Sequence, residues 1–72
     1  MKVLFVEGPN LEALRSLARQ FPHPYRLLYR ADQALYLLEV WGHTPEMEQA
    51  AAKLEGFRNW SFELLEEGSR QS

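Results

Sequence analysis

The chain has 72 residues, no cysteine and a formal net charge of −2, with ten acidic against eight basic side chains. That length holds one domain with a thin core, because a domain this small buries only about 60% of the surface its unfolded chain exposes. Disulfides and thiolate metal sites are excluded, and the acidic balance argues against nucleic acid as a partner, since phosphate contacts call for a basic surface.

The first residues do not read as a targeting segment. Val3-Leu4-Phe5-Val6 is only four apolar residues long and Glu7 ends it, whereas a signal peptide needs a longer hydrophobic region. No stretch approaches the roughly 20 apolar residues of a membrane span. The expectation is a cytoplasmic protein with no membrane partner. The lack of isoleucine and six arginines against two lysines suggest a GC-rich bacterial, thermophilic source. With no disulfide or metal available, oligomerisation is the remaining way to stabilise so small a scaffold, so a homo-oligomer, most simply a dimer, is expected. The charge is also uneven: residues 1–30 carry five basic side chains against Glu7 and Glu12, and residues 31–72 carry three against eight. Opposed patches favour self-association.

Taken in chain order, Lys2 to Val6 reads as a buried strand, stopped by Gly8-Pro9. Asn10 is a good helix cap. Leu11, Leu14, Leu17, Ala18 and Phe21 follow at helical spacing and form one apolar stripe. Pro22 and Pro24 end that helix near Gln20, with His23 in the loop between them. Tyr25–Arg30 and Ala34–Trp41 read as two strands joined by a tight turn at Ala31-Asp32-Gln33. Thr44-Pro45-Glu46 starts a second helix with a cap, a proline at the first position and an acid in the first turn. Met47, Ala50, Ala51 and Leu54 make its stripe, and Gly56 ends it. Arg58 to Leu64 alternates and reads as a half-buried strand. One α+β domain over 1–66 is expected, with a frayed tail over 67–72.

Each half repeats the plan strand, capped helix, strand. Two interlocked β-α-β units give a ferredoxin-like βαββαβ plait: a four-stranded antiparallel sheet of order 4-1-3-2 with both helices on one face. The other face stays open. Glu39 suggests that Leu35, Leu37, Glu39 and Trp41 look that way, and a two-residue hairpin loop puts Arg26, Leu28 and Arg30 beside them. Tyr25, Leu27, Tyr29, Tyr36, Leu38, Val40, Trp60, Phe62 and Leu64 then fall to the helix side, and Glu63 to the open side. A one-residue register shift would exchange part of these sets. Contiguous apolar surface marks an interface, so Arg26, Leu28, Leu35, Leu37 and Trp41 are the expected contact residues.

A second expectation places strands one and three parallel, with Glu7-Gly8-Pro9-Asn10 beside Trp41-Gly42-His43-Thr44 under both helix N-termini. Free amides and glycines there suit a small polar or anionic ligand. The candidate ligand residues are Glu7, Gly8, Asn10, Gly42, His43 and Thr44. His43 is the one catalytic candidate, with Glu7 as its partner, because histidine titrates near neutrality. The histidines and carboxylates lack metal-ligand spacing, and no nucleophile motif is present, so neither a metal nor a cofactor is expected. Glu46, Glu48 and Glu55 read as a solvated helix face. Phe5, Tyr36 and Trp41 invite an RNA-stacking reading of the open sheet, but Ala34–Trp41 lacks the glycine-aromatic pattern that reading needs.

Val6-Glu7-Gly8-Pro9-Asn10-Leu11-Glu12-Ala13-Leu14 resembles the start of an ACT domain, where an acidic residue, a proline and a glycine lead from strand one into helix one. The resemblance implies amino-acid binding at a dimer interface through Glu7, Pro9 and Asn10, although the family's usual glycine falls at Asn10 here. Three functions follow: a small oligomeric domain binding a small ligand or protein, a small enzyme resembling dimeric α+β-barrel monooxygenases or isomerases, and a pure interaction module.

Overall fold

The structure, a computed structural model, describes residues 1–65. The expected tail over 67–72 lies outside the described residues. The elements are β1 (Lys2–Gly8), α1 (Leu11–Arg19), β2 (Tyr25–Arg30), β3 (Leu35–Trp41), α2 (Pro45–Ala52) and β4 (Arg58–Glu63). The sheet runs β2-β3-β1-β4, the expected 4-1-3-2 order read from the other edge. The chain folds as a ferredoxin-like plait.

The local signals form the elements they predict. Asn10 Oδ1 accepts from the Ala13 amide at 3.2 Å and starts α1. Pro45 opens α2 behind Thr44, whose side chain makes no capping bond. Gly56 takes φ +82° before β4. The apolar stripe Leu14, Leu17, Ala18 of α1 meets Leu4, Val6, Leu38 and Val40 of the sheet and Met47 and Ala51 of α2, and these residues form the core. Tyr36 and Leu27 pack against it from the helix side. Tyr25 and Tyr29 share that side by register, yet they stay 40% and 57% exposed, because the short helices do not reach the β2 edge.

β1 and β3 are antiparallel: Val3 lies opposite Trp41 and Gly8 opposite Tyr36. This corrects the parallel arrangement expected for the two loops. A crossover helix makes β1 and β2 parallel, and the hairpin turns β3 against β2, so β3 must also run against β1. The Gly42 amide donates to the Lys2 carbonyl at 2.7 Å, at the start of β1. Gly42, His43 and Thr44 therefore sit at one end of the sheet, and Glu7, Gly8 and Asn10 at the other.

The hairpin closes with Arg30 opposite Leu35, leaving a four-residue loop, Ala31–Ala34. It is two residues longer than the shortest loop, and an even change preserves which side each residue faces. Arg26, Leu28 and Arg30 thus share the open side with Leu35, Leu37, Glu39 and Trp41, as expected. β4 is the correction. Trp60 lies opposite Phe5 and Phe62 opposite Val3, both on the open side, while Asn59, Ser61 and Glu63 lie opposite Val6, Leu4 and Lys2 on the helix side. Leu64 belongs to the open side with them, where it lines a depression. Alternation fixes which residues share a face but not which face is covered. At this edge the polar residues take the helix side, where Ser61 meets Glu48 of α2, and the aromatics join Phe5.

Candidate functional site

Neither loop group forms the joint site that the parallel arrangement implied. Asn10 spends its side chain on the helix cap. Gly8 lies under Phe57, where a Cβ would approach the ring to 2.1 Å. Gly42 takes φ +73° with open space around it. His43, the catalytic candidate, is buried, and its Nε2 lies 2.6 Å from Glu48 Oε2 while Nδ1 has no partner among the described residues. Glu48 is therefore more than part of a solvated face. The contact from His43 holds its carboxyl below the usual carboxylate range, helped by the Lys2 charge and the Ser61 hydroxyl and opposed by burial. His43 and Glu48 flank the first turn of α2 at the positions where a hydrophobic staple usually closes a helix start, and here the staple is polar. Those positions were the available sequence signal for the pair.

Glu7 sits on the open face instead. It is 2% exposed, with Oε2 accepting from Arg30 at 2.8 Å and Oε1 3.8 Å from Arg58, too far for a hydrogen bond. Oε1 has no hydrogen-bond partner among the described residues. A buried carboxylate is retained only when paired, and Arg30 supplies the pair.

The rest of that face is built by register in rows across the strands. Leu28, Leu37, Glu7 and Arg58 form one row, and Arg26, Glu39, Phe5 and Trp60 the next. Trp41, Val3 and Phe62 form a third. Arg26 Nε donates to Glu39 at 2.5 Å, so both carboxylates on the face are already neutralised within it. Phe5 stacks on Trp60 at 5.6 Å and meets Phe62 edge-on at 5.9 Å. Arg58 lies 5.4 Å over Trp60, and Arg26 lies 6.0 Å from Trp41. Leu28, Trp41 and Phe62 remain 38%, 37% and 59% exposed. Of the residues expected at an interface, Arg26, Leu28, Leu35, Leu37 and Trp41 all lie here. Sequence reasoning missed Val3, Trp60 and Phe62, and placed Phe5 on this face only through the RNA-stacking reading. Val3 and Phe5 could have been found by alternation from the buried Leu4 and Val6.

Among the described residues, two depressions stand out. One, of about 460 Å³, lies between the helices and is lined by Ser16, Gln20, Glu46, Gln49 and Lys53 with alanine and leucine side chains. The other, of about 280 Å³, lies at the Trp41 end of the open face, walled by Val3, Phe5, Trp41, Phe62 and Leu64 with Glu39 and Glu63. Glu7 and His43 line neither. Tyr36 faces the core, which removes it from an aromatic stacking surface. Among the described residues no group of three or more His, Asp or Glu is placed to hold a metal, and no helix is long and apolar enough to cross a membrane.

Comparison with family models, with curated proteins and with solved structures returned no match.

Proposed function

We propose that this chain is a small non-catalytic binding domain that acts as a homodimer, with the open sheet face as the surface it covers. The observation that carries the reading is the composition of that face: its middle is aliphatic and aromatic, and its carboxylates are paired within the face. Water gains little from solvating the middle of such a surface, and a second copy can cover it with both carboxylates already paired. Strands about 4.8 Å apart and about 3.3 Å per residue give a face of roughly 400 Å² per copy. Covering it contributes on the order of 10 kcal/mol per copy, against about 4–15 kcal/mol for the cost of association. Light scattering after size-exclusion chromatography at micromolar concentration tests it. The expected mass is twice 8.4 kDa, and a clean monomer refutes the reading.

Glu7 Oε1, which accepts no hydrogen bond among the described residues, favours a second reading, closer to the ACT-like one: a small ammonium-bearing ligand such as an amino acid bound near Glu7 and Asn10. A thermal-shift screen with amino acids tests it, because a ligand held only by the folded state raises the melting temperature. The enzyme reading loses its acid-base pair, since His43 and Glu7 stand at opposite ends of the sheet.

A further inference from the structure

We propose that two copies of this chain also join edge to edge through β2, with Tyr25 of each opposite Tyr29 of the other, so that two four-stranded sheets become one. The inference goes beyond the open-face dimer and is independent of it, because it uses the rim of the sheet and leaves the open face available.

β2 stands at one end of the sheet. It runs from Tyr25 to Arg30 without a proline, a lysine or a break in register, the devices that usually blunt an edge. The Trp41 amide donates to the Pro24 carbonyl at 3.0 Å, and such bonds alternate along an antiparallel pair. Arg26, Leu28 and Arg30 therefore turn their backbone groups to β3, and Tyr25, Leu27 and Tyr29 turn theirs outward. No turn or loop bond among the described residues takes up these outward groups. Unpaired amides and carbonyls along an edge are a template for another strand. The side chains of Tyr25 and Tyr29 flank Leu27 on the helix side and are themselves 40% and 57% exposed.

Symmetry restricts the register. A two-fold axis normal to the sheet keeps the helices of both copies on one side, and opposite residues must then share a face. Two such registers engage most of the strand. One sets Leu27 opposite itself, Tyr25 opposite Tyr29 and Arg26 opposite Leu28. Every outward amide and carbonyl of the strand then finds a partner, and the tyrosine pair forms twice, each contributing about 0.2–1 kcal/mol. The other sets Leu28 opposite itself. It places Arg26 against Arg30, like charges face to face, and leaves Tyr25 opposite Ala31 of the hairpin loop. The first register is the self-complementary one. A strand about 20 Å long on a sheet about 10 Å deep gives a contact of roughly 200 Å² per copy. That is half the open face, so this contact is the weaker of the two and fills at higher concentration.

Paired thiols test the register, because the chain has no cysteine of its own. Tyr25→Cys and Tyr29→Cys change exposed positions, and circular dichroism melts confirm folding. The two variants are mixed in equal amounts at about 500 µM with a thiol cross-linker spanning about 5 Å. The mixed pair is expected at least 10-fold in excess over either variant linked to itself, because like positions stand four residues, about 13 Å, apart. An open-face dimer holds its helix sides on opposite outer surfaces and cannot give this product. In the unchanged chain, hydrogen exchange of the Tyr25, Leu27 and Tyr29 amides is expected to slow at least threefold between about 50 µM and 1 mM. A mixture with no excess of the mixed pair refutes the register. Exchange that does not depend on concentration refutes the edge contact itself. If the unchanged chain is a monomer at micromolar concentration and the mixed pair still forms, the open-face reading falls and the edge contact stands.

Discussion

Gly8 is fixed by a contact rather than by backbone conformation. A Cβ there would stand 2.1 Å from Phe57, whose ring packs against the core from the β4 side. Gly8→Ala is therefore expected to destabilise the domain by about 1–3 kcal/mol through overpacking, read from the midpoint of denaturant unfolding. Glu48 sets an acid limit. Its carboxyl is held below the usual range chiefly by the contact with His43, so the unfolded chain binds the proton more readily than the folded one. The stability this gives is full above the unfolded carboxylate pKa and is lost as pH falls through the lower, folded value. Melting temperatures measured from pH 7 down to pH 3 are expected to drop on the acid side. Glu48→Gln is expected to flatten that limb and to melt lower at pH 7.

At the scale of elements, the βαββαβ order was legible because each boundary carries its own chemistry. Asn10 caps α1, Pro45 opens α2, and Gly56 leaves α2 for β4. The hairpin faces were legible for a different reason, since parity survives a loop longer by two residues. The side taken by β4 was not legible. Trp60 and Phe62 look like core residues by composition, and only the pairing of the edge strand, which sets them opposite Phe5 and Val3, turns them to the open face. Strand direction was the other failure. Placing β1 and β3 parallel brought Glu7 next to His43, whereas the hairpin forces them apart. The hairpin loop also carries a test. Ala34 adopts φ +56°, a left-handed conformation that costs a non-glycine residue about 1–2 kcal/mol. Ala34→Gly removes that strain and gives back about 0.4–1 kcal/mol through a more flexible unfolded chain. A net gain of some tenths of a kcal/mol is expected, seen as a melting temperature raised by a few degrees at fixed protein concentration.

At the scale of the whole molecule, helices of nine and eight residues lie on one side of a four-stranded sheet and leave the other bare. The bare side leaves Leu28, Trp41 and Phe62 exposed together, and its carboxylates find partners within it. A second copy explains both facts together. The most direct measurement is the solution mass of the unchanged chain across a dilution series, set beside Leu28→Glu, an exposed position on that face. A mass near twice 8.4 kDa at micromolar concentration, falling to the monomer for a folded Leu28→Glu, is the predicted result. A monomer at every concentration up to about 100 µM, or a dimer that Leu28→Glu leaves unchanged, contradicts the account.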